Sequence, residues 1–211
     1  MNIKQFTLTA IFLSIILLFA FTPIGFIHLG VIKATLIHIP VIIGSIILGP
    51  KIGAFLGLAF GTTSVINNTL APTLLSFAFS PAIPVLGTDR GSFMALVVAI
   101  LPRVIIGILP YFFVKGFNRL ITLKKIKEKT SLFLTGLVTT IIHTFLVMGA
   151  IAVVFYDAYA QAIDVSSVSG VIVAVFTVFL SNGIGEAIVA AFIVMTVVPP
   201  LLKISDQSKS K

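Results

Sequence analysis

The 211-residue sequence has no cysteine and no tryptophan. Without cysteine there is no disulfide framework, no thiolate metal site and no thiol nucleophile. Without tryptophan, the aromatic belt of a membrane interface has to rest on three Tyr and on the 19 Phe. Charge is equally scarce. Lys and Arg number 14, Asp and Glu only 6, together 9% of the chain, against about 25% in an ordinary soluble domain. So few charges cannot cover a globular surface, which excludes a soluble enzyme. The high apolar content excludes a disordered chain. The G-x-x-x-x-G-K-[ST] loop, H-E-x-x-H and the G-x-S-x-G elbow are all absent, so P-loop nucleotide hydrolysis and those two hydrolase chemistries are excluded. What the chain does have is 58% hydrophobic residues and a mean hydropathy of +1.22, enough for about six spans of about 20 apolar residues.

The apolar runs are Phe6–Phe21, Ala34–Leu48 with Pro40 inside, Ile52–Ile66, Phe93–Val114, Leu132–Phe155 and Val171 to about Val198. The first has the positive start and apolar core of a signal peptide, but more apolar sequence follows, so an uncleaved span is expected. Thr22-Pro23-Ile24-Gly25 ends it. Leu48-Gly49-Pro50-Lys51 is a strong breaker between the second and third runs, which are short for spans. Residues 67–91 are an apolar stretch interrupted by Asn, Pro and Gly, expected to fold back over the membrane part. Tyr156–Ser169 reads as a short loop, and Pro199-Pro200 as the close of the last span.

The net charge of +8 is carried mostly by connectors, so the excess of Lys and Arg in cytoplasmic loops explains it better than a nucleic-acid partner does. The basic 115–129 connector belongs inside. Six spans then place Lys4, Lys51 and the Lys203–Lys211 tail inside too, whereas five or seven would strand one basic segment outside. The expectation is an all-α membrane protein of six transmembrane helices, both termini cytoplasmic, forming one transmembrane domain over residues 1–211.

Polar residues within the spans carry the functional reading, because they are costly there. Arg103 lies near mid-membrane on the fourth span, and its planar guanidinium suits a carboxylate or phosphate. The alternative is a structural ion pair with Glu186. Asn182 and Glu186 are four apart on the sixth span, hence on one face, as ligand contacts or as a polar clamp between helices. His143 lies mid-way along the fifth span, one turn after Thr139, either as substrate contact or as hydrogen-bonded packing residue. Asn67, where the third span gives way to the interrupted stretch, is a further candidate for substrate binding. His28 and His38 are too far apart in sequence to form a metal signature. Gly53, Gly57 and Gly61 form a ladder for close helix approach, internal or against another subunit. Ala10 and Ser14 form a similar small-residue pair on the first span.

The stretch TPIGFIHLGVIKATLIHIPVIIGSIILGPKIGAFLGLAFGTTSVINNTLAPT resembles the substrate-binding S components of energy-coupling factor (ECF) vitamin transporters, in particular the pantothenate type. IHIPVIIGSIILGPKIGAFLGLAFG is its most specific part. The resemblance implies six membrane helices and a vitamin bound near the outer face; no cofactor and no metal are expected. It implies as partners a transmembrane coupling subunit and two cytoplasmic ATPases. It places the subunit-docking motif on Ala10 and Ser14, with Ser where the family has Ala, and Arg103, His143, Asn182 and Glu186 around the ligand. Folate, a pyridoxine-like compound or a hydroxymethylpyrimidine are alternative ligands, and a small gradient-driven carrier is the alternative function.

Overall fold

The computed structural model describes residues 3–29, 32–122 and 126–207. Lys124, Lys125, Lys209 and Lys211, which enter the charge argument for orientation, lie outside them. In chain order the elements are α1 (Ile3–Phe21), a hairpin of β1 (Phe26–Leu29) and β2 (Ile32–Thr35), α2 (His38–Leu48), α3 (Pro50–Leu70), α4 (Met94–Leu120), α5 (Lys127–Val154), α6 (Tyr156–Ala162), α7 (Val168–Val178) and α8 (Ile184–Gln207). A π-turn over Phe179–Gly183 joins α7 to α8, so residues 168–207 are helical throughout.

Among the described residues, four helices are long and apolar enough to cross a membrane: Ile3–Phe21, Met94–Leu120, Lys127–Val154 and Val168–Lys203. They make this a membrane protein built on helices. The second expected span does not reach that standard. Its helix, α2, has 11 residues, about 16 Å at 1.5 Å per residue, against a hydrocarbon core of about 30 Å. Helix α3 has 21 residues, but Ser64, Asn67, Asn68 and three threonines dilute its apolar character.

Several boundaries differ from the sequence reading. Chain that was assigned to the second span from Ala34 is, up to Thr35, the second strand of an antiparallel hairpin in which Phe26 pairs with Thr35 and Leu29 with Ile32; the expected all-α fold therefore carries one small sheet. Residues 156–162 form a helix rather than loop. Helix α8 runs through Pro199 and Pro200 to Gln207. Two prolines delete two ladder hydrogen bonds, those to the carbonyls of Met195 and Thr196, and such losses are tolerated in membrane helices where neighbouring groups satisfy the freed carbonyls. The Gly49-Pro50 break stands as read: Gly49 has φ +91° and Pro50 opens α3. That φ is in the region open to glycine, and proline is preorganised for the first helical turn.

The glycine ladder of α3 packs internally. A Cβ at Gly53 would strike the Gly107 carbonyl, one at Gly57 the Arg103 carbonyl, and one at Gly61 would lie 2.9 Å from Ile100 Cα. Helix α3 is thereby pressed backbone-to-backbone on α4, and the ladder is used up within the chain rather than offered to another subunit. Apolar side chains bury in two clusters. One joins Phe12 and Ile16 of α1 to Ile42, Leu56, Ile106, Leu132 and Val194. The other joins Phe77, Ala95, Val98, Val147, Ile151, Phe155 and Tyr159. The interrupted stretch does fold back: Phe77, Ala78, Ser76 and Ser80 are fully buried. Along α4 and α5 the gap between the clusters falls at Arg103 and His143.

Candidate functional site

In that gap lies a cavity of about 240 Å³ lined by Thr35, Ile37, His38, Phe60, Thr63, Ser64, Asn67, Asn68, Arg103, His143 and Glu186. Arg103 dominates its chemistry. Proline at 102 has no N–H, so the Val98 carbonyl one turn earlier loses its helical partner. Arg103 Nη1 donates to that carbonyl at 2.8 Å. The guanidinium lies between two rings, 5.6 Å from the Phe60 centroid and 5.1 Å from that of Phe79, within cation–π range. The residue is 6% exposed, and its Nε has no hydrogen-bond partner. Helix α4 thus fixes the cation in place through a proline-freed carbonyl and leaves part of its donor set unused.

Two imidazoles share the cavity. His38 opens α2 and His143 lies mid-way along α5, their ring centroids 5.7 Å apart, with Phe60 5.8 Å from His143. Both are buried, and the Nε2 of each has no partner. Orphaned buried polar atoms cost about 1–3 kcal/mol each. Three of them around one cavity, from Arg103, His38 and His143, make a site that a polar ligand or water would satisfy. Glu186 Oε1 accepts from the Thr35 N–H at 2.7 Å. The expected alternative of an Arg103–Glu186 ion pair does not form: among the described residues the carboxylate is engaged by Thr35 and the guanidinium by Val98. Asn67 Nδ2 donates to Ala20 O at 2.6 Å, capping the end of α1, so its amide is partly committed to holding α3 against α1. The arrangement suits a small molecule with an anionic group for Arg103 and hydroxyl or amide groups for the imidazoles and amides. The volume is below the roughly 300–1,000 Å³ of drug-sized pockets.

The family described as "ECF transporter, substrate-specific component" matches residues 4–198. The chain belongs to this family. It is also 38% identical, over 177 residues, to the pantothenic acid transporter PanT of Lactococcus lactis subsp. cremoris (strain MG1363), across 84% of this chain and 82% of the relative. The protein is therefore an S component: a membrane subunit that binds a small vitamin and works with the other parts of an ECF transporter, not an enzyme.

Of the residues expected at the ligand site, the S component gathers Arg103, His143, Glu186 and Asn67 around one cavity. Asn182 is not among its lining residues. It lies in the π-turn Phe179–Gly183, whose extra residue per turn breaks the four-residue spacing by which Asn182 and Glu186 were expected to share a face. Ala10 and Ser14 are both exposed on α1 and line a shallow groove with Thr7, Ile11, Ile15 and Leu18, so neither packs inside the chain. Sequence reading missed His38, Phe60 and Phe79. His38 was set aside for its distance from His28, whereas its partner is His143. Phe60 and Phe79 reach Arg103 only through tertiary contact, so no local signal in the sequence marked them.

Proposed function

We propose that this S component captures pantothenate in the Arg103 cavity from the outer side of the membrane and delivers it through a transmembrane coupling subunit powered by two cytoplasmic ATPases. What carries the reading is a buried guanidinium with an unused donor lining a polar cavity, in a chain 38% identical to a transporter named for pantothenic acid. Arg103 holds the carboxylate, and His38, His143 and Asn67 meet the hydroxyl and amide groups. Asn182 contributes only if the π-turn of the sixth span shifts when ligand binds. The chain is one transmembrane domain that crosses six times with both termini in the cytoplasm, a topology supported by its basic connectors. The short α2 makes its crossing together with the hairpin that precedes it. Ala10 and Ser14 form part of the docking face for the coupling subunit: small exposed side chains one turn apart let a partner helix approach closely.

Titration calorimetry on the purified chain, paired with uptake into liposomes, tests this. Saturable pantothenate binding without accumulation is expected. Accumulation under a proton or sodium gradient alone would make the protein a secondary carrier. Binding of folate, a pyridoxine-like compound or a hydroxymethylpyrimidine in place of pantothenate would reassign the vitamin.

A further inference from the structure

We propose that Glu186 is a positioning residue: its carboxylate clamps Thr35, the last residue of the hairpin, against the cavity, so that hairpin and ligand hold each other in place. The inference rests on the cavity being the ligand site. Its starting point is a hydrogen bond of 2.7 Å from the Thr35 N–H to Glu186 Oε1, between residues 151 apart in sequence. Thr35 is where the hairpin joins the rest of the fold. It pairs with Phe26 at the open end of the ladder, and the next residue, Leu36, donates its N–H to Gly25 O at 2.8 Å. Thr35, His38 and Glu186 all line the cavity, so the strand end forms part of its wall and is gripped from α8.

The chemistry favours a clamp over a direct ligand contact. A peptide N–H needs an acceptor, not a charge, whereas a carboxylate free to turn within the same cavity would compete with an anionic ligand for the Arg103 cation. Committed to Thr35, Glu186 instead stabilises the wall that closes on the ligand.

Hydrogen exchange on the full chain in lipid nanodiscs, with and without pantothenate, tests the clamp. In Glu186→Ala the ligand-free hairpin amides should exchange about five- to a hundredfold faster, the scale of a buried donor left unpaired, and pantothenate should dissociate correspondingly faster. Glu186→Gln keeps an acceptor and should rescue both. Thr35→Pro deletes the donated N–H while leaving the carboxylate, and should loosen the hairpin as Glu186→Ala does; it serves as the readout should the alanine variant not fold. Wild-type exchange in either loosening variant overturns the clamp. So does a glutamine variant that behaves like alanine, which would mean that the charge itself matters. If wild type binds no pantothenate but Glu186→Ala still frees the hairpin, the ligand assignment falls and the clamp stands.

Discussion

Alanine at Gly57 should separate α3 from α4 at the level of the Arg103 cavity. The added methyl would collide with the Arg103 carbonyl oxygen and lie 2.9 Å from Arg103 C and 3.0 Å from Val104 Cα. Carbon contacts settle at about 3.5–4.0 Å, so the helices must part by about half an ångström or more. The obstacle is backbone, which has no rotamer to escape into. Overpacking of this kind costs roughly 1–3 kcal/mol, or a fall of roughly 2–12 °C in melting midpoint for a chain of this length. The displacement also moves the segment carrying Arg103 away from Phe60, so pantothenate affinity should fall with stability. Gly149 is the matched control: a methyl there meets nothing within 4 Å, and Gly149→Ala should melt no lower than wild type. The assay is thermal unfolding of the detergent-solubilised chain, with a ligand titration on each variant. A Gly57→Ala protein that melts with wild type and binds as tightly would refute the claim that this contact sets the helix spacing.

Arg103→Ala should weaken pantothenate binding about tenfold to more than a hundredfold, the scale of a charge-assisted hydrogen bond, and Arg103→Lys should not restore it, because an ammonium lacks the fork that serves Val98 O and a carboxylate together; calorimetry on folded variants decides, and unchanged affinity would leave Arg103 as no more than a carbonyl cap. Ala10→Trp combined with Ser14→Trp should leave ligand binding by the isolated chain intact and abolish co-purification with the coupling subunit. Normal assembly of that double variant would remove α1 from the docking face.

Much of this arrangement was legible in the sequence because it depends on local rules. Gly49-Pro50 ends one helix and starts the next for reasons confined to those two residues. Arg103, His143, Glu186 and Asn67 stood out because each is costly in an apolar span, and a cost of that kind is visible without knowing the partner. The parts that were missed are settled by tertiary contact. His38 becomes a site residue only when α2 meets α5. The π-turn that takes Asn182 out of step has no local signature. Nor do Pro199 and Pro200 stop α8, because a proline removes a donor and crowds one carbonyl, which kinks a helix but need not end it. The last two residues of the hairpin, Ala34 and Thr35, were read as the start of a span, because apolar runs this short do not separate strand from helix.

The two apolar clusters, divided at the level of Arg103 and His143, give the molecule two regions that can change at different rates. Residues of the first cluster, such as Ile42, Leu56 and Val194, set how α1, α2, α3 and α8 pack where the chain would meet its transport machinery. Residues of the second, such as Phe77 and Tyr159, pack on the other side of the Arg103 cavity and, on the proposed reading, would form the roof over the vitamin. Substitutions in the roof can retune which molecule is accepted while the base keeps the same outline. A lineage of such proteins could therefore diversify its cargo without renegotiating its contacts with a common partner.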